Sequence, residues 1–221
     1  IISLFSILII VANFLFGYKT IWLFYYLIFS GIIQFYISTN INSKKKSLGA
    51  NDNLSSVATI LNIAKNVKNQ KNVDLMFISF GSEEAGCVGS QKFVRKNYKD
   101  IKNSININFE SVGCGDYFGF LKSEKFGRIK YDYKNSDKFS SIIKKNDGKI
   151  INKNIGQFGK SDGGSFAKSK IKSICIIGTN KYGHIPNWHS INDVFKNIKP
   201  KNIDILTKSS LEYISSLQNK Q

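Results

Sequence analysis

Two adjacent glutamates, Glu83 and Glu84, follow an apolar run and a glycine. Neighbouring carboxylates repel each other, so a pair that is withdrawn from water needs a cation or a shared proton. Side chains of neighbouring residues in extended backbone point in opposite directions, so one glutamate can bind a metal ion while the other faces a water molecule on that metal. A Glu-Glu pair in a loop is by itself usually a solvated surface feature, and its interpretation depends on the other residues available.

Three further residues offer ligands of the same kind. Asp52 lies between a glycine-containing turn and a predicted helix, where it could instead be a helix N-cap. Glu110 ends an apolar run, and His189 is one of only two histidines. Each residue is weak as a signal by itself, but their order and context together are informative.

Helical and apolar extended segments alternate along the part of the chain that must position these residues. The predicted helices cover 54–67, 89–97, 136–146 and 200–219, and the predicted strands cover 74–80, 104–110 and 173–178. This alternation indicates an α/β fold in which helices cover both faces of a sheet. Ligands of such folds collect at the carboxyl ends of the strands, where Glu83, Glu84 and Glu110 fall.

The first 38 residues have a different composition. Residues 1–16 and 20–38 contain no charged side chain, and Lys19 lies in the short turn between them. A membrane-spanning helix needs about 20 apolar residues, so we predict a two-helix transmembrane hairpin at 1–38 and a polar basic connector at 39–48. The alternative is a pair of buried core helices. The three lysines at 44–46 place the following domain on the cytoplasmic side of the membrane, with membrane lipid as a partner.

The overall charge is strongly positive: 32 Lys and Arg residues against 15 Asp and Glu give a net charge of +17. The lysines are spread along the chain, which favours a compositional bias over a nucleic-acid site, and we expect no nucleic-acid partner. The three cysteines, Cys87, Cys114 and Cys175, match no CxxC spacing and predict no disulfide framework.

Five segments resemble, in the same order, motifs of the zinc exopeptidases, the family of aminopeptidase Y, bacterial leucyl aminopeptidases and glutaminyl cyclase. They are GANDN at 49–53, FISFGSEEAG at 77–86, NFESVG at 108–113, SD at 161–162 and HSIND at 189–193. The resemblance implies a zinc exopeptidase-like α/β domain at 49–221 with a mixed, mostly parallel sheet.

The resemblance also implies a role for each candidate residue. Asp52 would bridge two zinc ions, and Glu84 and His189 would complete the first zinc site. Glu110 would bind the second zinc ion, where the family more often has aspartate. Glu83 would be the general base that takes a proton from the zinc-activated water and delivers it to the leaving amine.

Two further acidic residues fall within the matching segments. Asp193 would orient a metal ligand without itself binding the metal ion. No role is predicted for Asp162.

One element of the family pattern is missing. The family takes a histidine for its second zinc from an upstream His-x-Asp segment, whereas the only histidines here are His184 and His189. The chain also begins with Ile1 rather than Met. We therefore predict a fragment in which the hairpin is an insertion and the missing histidine lies upstream. Such a domain would bind one zinc ion well and the second poorly, and could be inactive as it stands.

The sequence leaves three functions open. The first is a membrane-anchored zinc aminopeptidase-like enzyme acting on a peptide substrate. The second is a glutaminyl cyclase-like acyltransferase that uses a single zinc ion. The third is an inactive membrane protein that binds anionic partners.

Overall fold

The structure is a computed structural model, and it describes residues 11, 14, 21–41, 46–68, 72–151 and 159–218. The chain divides into two compact units, Ile1–Lys46 and Ser47–Gln221. The first unit contains helix α1, Ile21–Ile41. Among the described residues we find no helix whose length and apolar character would let it cross a bilayer. The transmembrane hairpin and the lipid partner predicted from 1–38 are therefore not supported. Nearly all of the first predicted span lies outside the described residues, and the cytoplasmic placement stays a prediction.

The second unit alternates helices and strands. In chain order it contains a π-helical turn (Ala50–Ser55), α2 (Ser56–Asn66), α3 (Val88–Ile101), β1 (Ile105–Glu110), β2 (Tyr117–Phe120), β3 (Ser123–Glu124), β4 (Ile129–Lys130), α4 (Tyr133–Lys145), α5 (Asp162–Lys168), β5 (Lys172–Thr179), a 3-10 turn (Phe195–Asn197) and α6 (Pro200–Gln218).

The main sheet has the strand order β1-β5-β2. Strand β1 runs parallel to β5, with Ile105 opposite Lys172 and Glu110 opposite Ile177, and β2 runs antiparallel to β5. Strand β5 is buried over almost its whole length, as a strand with helices on both faces must be. The predicted α/β fold with a mixed sheet is confirmed. One of the two described pairings is parallel, so the described strands do not show a mostly parallel sheet.

Helices cover both faces of this sheet. On one face α2, α4 and α6 pack against Ile174 and Ile176 of β5 through a cluster that includes Phe139 and Tyr213. On the other face Cys175 and Ile177 belong to a smaller cluster that α5 contacts through Ala167. Helix α3 packs against α5 in a third cluster. The metal-ligand candidates lie at the carboxyl end of β1 and in the loops beside it.

The predicted strand at 74–80 is wrong. These residues contain no assigned strand, because the described residues provide no neighbouring strand to which their backbone is paired. The predicted helices and the other two strands form with slightly shifted bounds, and α3 extends four residues beyond its predicted end. The hydrophobic periodicity of the sequence did not predict α5, β2, β3 or β4. These elements are short and their periodicity is weak.

Candidate metal centre

Asp52 lies in a strongly bent turn that begins at Gly49. The backbone of Asp52 and Asn53 departs from helical dihedral angles inside the π-helical turn. Gly49 has a φ of 66°, and a Cβ there would lie 2.8 Å from the carbonyl oxygen of Asp52, so the turn requires glycine. The residue at the N-cap position of α2 is Ser55, so Asp52 is not the N-cap of this helix.

The two asparagines beside Asp52 tie this turn to the segment that follows β1. The Asn51 side-chain oxygen accepts hydrogen bonds from the backbone N–H groups of Gly113 (2.7 Å) and Cys114 (3.0 Å). The Asn53 side-chain oxygen accepts one from the N–H of Ser111 at 3.0 Å. The position of Asp52 is therefore fixed by both of its neighbours rather than by its own side chain.

Asp193 holds the same turn from the other side. Its carboxylate accepts hydrogen bonds from the backbone N–H groups of Asn51 (2.5 Å) and Asp52 (3.1 Å). The residue is only 1% exposed. Asp193 was predicted to orient a metal ligand. In the structure its contact with a metal-ligand candidate is the hydrogen bond that it accepts from the backbone of Asp52.

The structure brings three of the predicted ligands together. The Nε2 atom of His189 lies 3.4 Å from Oδ2 of Asp52 and 3.2 Å from Oε1 of Glu84. One donor atom from each residue lies within 4.8 Å of the other two. The Trp188 ring lies against the imidazole of His189, with a centroid separation of 4.2 Å and an interplanar angle of 33°.

The arrangement of these donors fits a zinc ion. Two ligands of one tetrahedral zinc ion, at bond lengths of about 2.0–2.2 Å, are separated by roughly 3.3–3.5 Å. The distances from the His189 nitrogen to the two carboxylate oxygens, 3.4 and 3.2 Å, are close to that separation. Burial raises the pKa of Asp52, and the negative charge of Glu84 raises it further. A divalent cation would remove this repulsion.

Glu83 lies beside this cluster. The Cys87 thiol donates a weak hydrogen bond of 3.4 Å to its Oε1 atom. Burial is the main reason why the pKa of Glu83 is raised, and the negative charges of Glu84 and Asp162 contribute in the same direction. A raised pKa favours a proton acceptor, and the general-base role of Glu83 stays a prediction.

Glu110 is not one of the three converging residues. Its two carboxylate oxygens accept hydrogen bonds from the side-chain amides of Asn53 (3.1 Å) and Asn108 (3.2 Å). Burial raises the pKa of Glu110 well above its usual value, and the charge of Asp52 adds to this effect. Its role as a ligand of a second zinc ion stays a prediction.

Asp162, which the sequence left without a role, lies near the centre at the start of α5. It is buried, and its Oδ1 atom has no hydrogen-bond partner among the described residues. Burial raises its pKa. The only sequence signal for this position was the Ser-Asp pair at 161–162.

Comparison with known proteins gives the same family as the motifs. The model of peptidase family M28 matches residues 36–214. Aminopeptidase YwaD of Bacillus subtilis (strain 168) is 36% identical over 81 residues, which cover 35% of this chain and 18% of that protein.

Two solved structures share the fold. The zinc aminopeptidase BSAP from Bacillus subtilis superposes with a TM-score of 0.62 at 23% identity, over 77% of this chain and 42% of that one. The glutaminyl cyclase of Porphyromonas gingivalis superposes with a TM-score of 0.52 at 20% identity, over 74% of this chain and 61% of that one. The chain thus spans less than half the length of the two aminopeptidases. It belongs to peptidase family M28.

Proposed function

We propose that this chain carries the metal centre of a zinc-dependent peptidase of the aminopeptidase type. The observation that carries this proposal is the convergence of Asp52, Glu84 and His189, with Glu83 directly beside them. Membership of family M28 and the identity with aminopeptidase YwaD support the same reaction class.

Asp52, Glu84 and His189 would hold the zinc ion. When bound, zinc polarises the scissile carbonyl group and lowers the pKa of water toward neutrality. Glu83 supplies the base. Its Oε1 atom accepts a hydrogen bond from the Cys87 thiol. Oε2 is therefore the oxygen that takes the proton from water and passes it to the leaving amine. The Trp188 ring lies against the imidazole of His189.

The test is hydrolysis of leucine p-nitroanilide by the full chain, first freed of metal and then supplied with zinc. We expect zinc to restore hydrolysis and N-acetylation of the substrate to prevent it. Glu83→Gln should lower the rate by about 10²–10⁴-fold while zinc binding persists, because only the proton acceptor is lost. Glu212→Gln, which alters a surface glutamate paired with Lys145, is the matched control and should keep the full rate. Unchanged hydrolysis by zinc-loaded Glu83→Gln would refute the proposal.

A glutaminyl cyclase-like acyl transfer is the second candidate. The observation that favours it is that one three-ligand group, sufficient for a single zinc ion, forms among the described residues. A peptide with N-terminal glutamine separates the two reactions. Release of free glutamine indicates aminopeptidase activity, and loss of ammonia with retention of the residue indicates cyclisation.

We propose one tight zinc ion per chain, bound by Asp52, Glu84 and His189. The support is the geometry of these three donors and the engagement of both Glu110 oxygens with amide groups. Calorimetric titration of the metal-free chain with zinc should give a stoichiometry of about one. Two sites of equal, high affinity would contradict this.

A further inference from the structure

A cavity lies between helix α3, helix α5 and the antiparallel pair β3–β4. Its volume is about 700 Å³. Pockets that bind small molecules usually enclose about 300–1,000 Å³, so this cavity is large enough for one. Asp52, Glu84 and His189 do not line it, so it is distinct from the metal centre.

Basic side chains from separate parts of the chain meet at this cavity. Arg95 lies on α3, Lys125 follows β3, and Lys168 is the last residue of α5. Lys160 and Lys170 lie just before and just after α5. Five of the fifteen lining residues are thus basic, whereas Lys and Arg make up 32 of the 221 residues of the chain. The fold therefore brings positive charge to this cavity at more than twice its average share.

Among the described residues, no acidic side chain forms an ion pair with these five charges. This part of the chain includes all fifteen Asp and Glu residues, and their ion pairs involve other cations. Glu124 does line the cavity, but it is buried and accepts hydrogen bonds from the hydroxyl groups of Tyr131 and Ser161. Lys125 influences the pKa of Glu124 without forming an ion pair with it. The positive charge of the cavity is therefore available to a ligand.

Buried apolar side chains also line the cavity. Cys87 and Val94 are each 2% exposed, and Ile129 is 8% exposed. Tyr98, which follows Arg95 by three residues on the surface of α3, adds an aromatic ring. A ligand that fills the cavity would contact these side chains as well as the five cations.

We propose that this cavity binds a small molecule that carries at least two linked phosphate groups. A phosphate monoester carries about 1.5–2 negative charges at pH 7, so two or more such groups supply several charges within a small volume. The lysines offer point charges, and Arg95 can donate two parallel hydrogen bonds to one phosphate group. The inference is independent of the proposed catalytic function, because it uses none of the metal-ligand candidates.

The first test is calorimetric titration of the full chain with inorganic tripolyphosphate at physiological salt. The chain is kept free of metal so that the phosphates cannot bind through zinc. We expect one binding site per chain and an affinity at least about tenfold higher than that for orthophosphate, because the longer anion reaches several of the cations at once. Absence of binding, or equal affinity for the two anions, would overturn the proposal.

A pair of double variants tests the location. Arg95→Gln with Lys168→Gln removes two charges that line the cavity, and tripolyphosphate affinity should fall by at least about tenfold. Lys92→Gln with Lys96→Gln removes two exposed charges of α3 that do not line the cavity, and affinity should persist. The two variants have the same net charge. An equal loss of affinity in both would show a general attraction to a basic protein and would overturn the proposal.

Vesicles of phosphatidylcholine and phosphatidylserine in equal parts test a second source of phosphate groups. We expect any sedimentation of the chain with these vesicles to be the same for the two double variants, because a lipid surface cannot enter the cavity. Vesicle binding that is lost only with Arg95 and Lys168, without binding of tripolyphosphate, would overturn the proposal in favour of a membrane surface.

Discussion

Carboxylates lie in two regions of this molecule whose surroundings differ. Glu124, which is 1% exposed, accepts hydrogen bonds at Oε1 from the Tyr131 hydroxyl (2.6 Å) and the Ser161 hydroxyl (2.8 Å). At the metal centre, Asp52 and Glu84 face each other and one imidazole nitrogen. Glu124 accepts hydrogen bonds from two buried protein hydroxyl groups, whereas the negative charges of Asp52 and Glu84 repel each other.

This difference separates a structural carboxylate from candidate functional ones. A buried carboxylate with hydroxyl donors stabilises the packing of β3, β4 and α5 around it and needs no ligand. Asp52 and Glu84 repel each other, and a bound cation would offset that repulsion.

The largest expected effect is that of His189→Ala on metal binding. Removal of one of three protein ligands should weaken zinc affinity by more than about 100-fold, because neither carboxylate can replace the nitrogen donor. His184→Ala, which changes the other, exposed histidine, should leave affinity unchanged. Competition with a chromogenic chelator measures both variants.

Asp193→Asn should have the next largest effect. The amide leaves one oxygen to accept from the backbone N–H groups of Asn51 and Asp52, where the carboxylate offers two. Zinc affinity should fall by about 10–100-fold, the usual range for a residue that supports a ligand. Asp204→Asn, a change at an exposed residue of α6 that is not one of the metal-ligand candidates, is the control. An unchanged affinity of Asp193→Asn would show that the turn holds Asp52 without this contact.

The sequence predicted the grouping of Asp52, Glu84 and His189 better than it predicted the surroundings of Glu124. Asp52, Glu84 and His189 were found from local motifs, because each motif includes the turn residues that position its ligand. The contacts of Glu124 with Tyr131 and Ser161 depend on how separate elements pack, and no local pattern encodes them.

The secondary structure shows the same difference between local patterns and contacts between distant segments. The 3.6-residue periodicity of α2, α4 and α6 is local, and their predicted bounds were close to the observed ones. The apolar residues at 74–80 match a strand pattern, but a strand also requires a paired neighbour. Periodicity carries no information about whether that neighbour is present.

Tyr131→Phe tests the region around the buried Glu124. Loss of one donor to Glu124 should lower the free energy of unfolding by about 1–3 kcal/mol, because a charge-assisted hydrogen bond in a buried site is lost. Urea unfolding of the metal-free chain measures this. Zinc affinity should remain that of the unaltered chain, and a large loss of affinity would indicate that the two regions are coupled. Tyr133→Phe, at an exposed tyrosine two residues away, is the control.

The smallest expected effect is a pH dependence of stability that arises at the metal centre. The pKa values of Asp52, Glu83 and Glu110 are raised in the folded chain, mainly by burial. Groups with raised pKa values contribute stability that is fully present below the pKa values of the unfolded chain, about 4, and is lost as pH rises through the folded values. Glu110→Gln removes one such group. The metal-free variant should therefore gain stability relative to the unaltered metal-free chain as pH rises from 4 to 7, in urea unfolding at both pH values. A constant difference would contradict the raised pKa.

The most direct test of the central claim is an anomalous difference map at the zinc absorption edge, from crystals of the full chain grown with zinc. We predict one strong peak within about 2.0–2.2 Å of Nε2 of His189 and of one carboxylate oxygen each from Asp52 and Glu84. A zinc peak elsewhere, with these three side chains turned away from one another, would contradict the account.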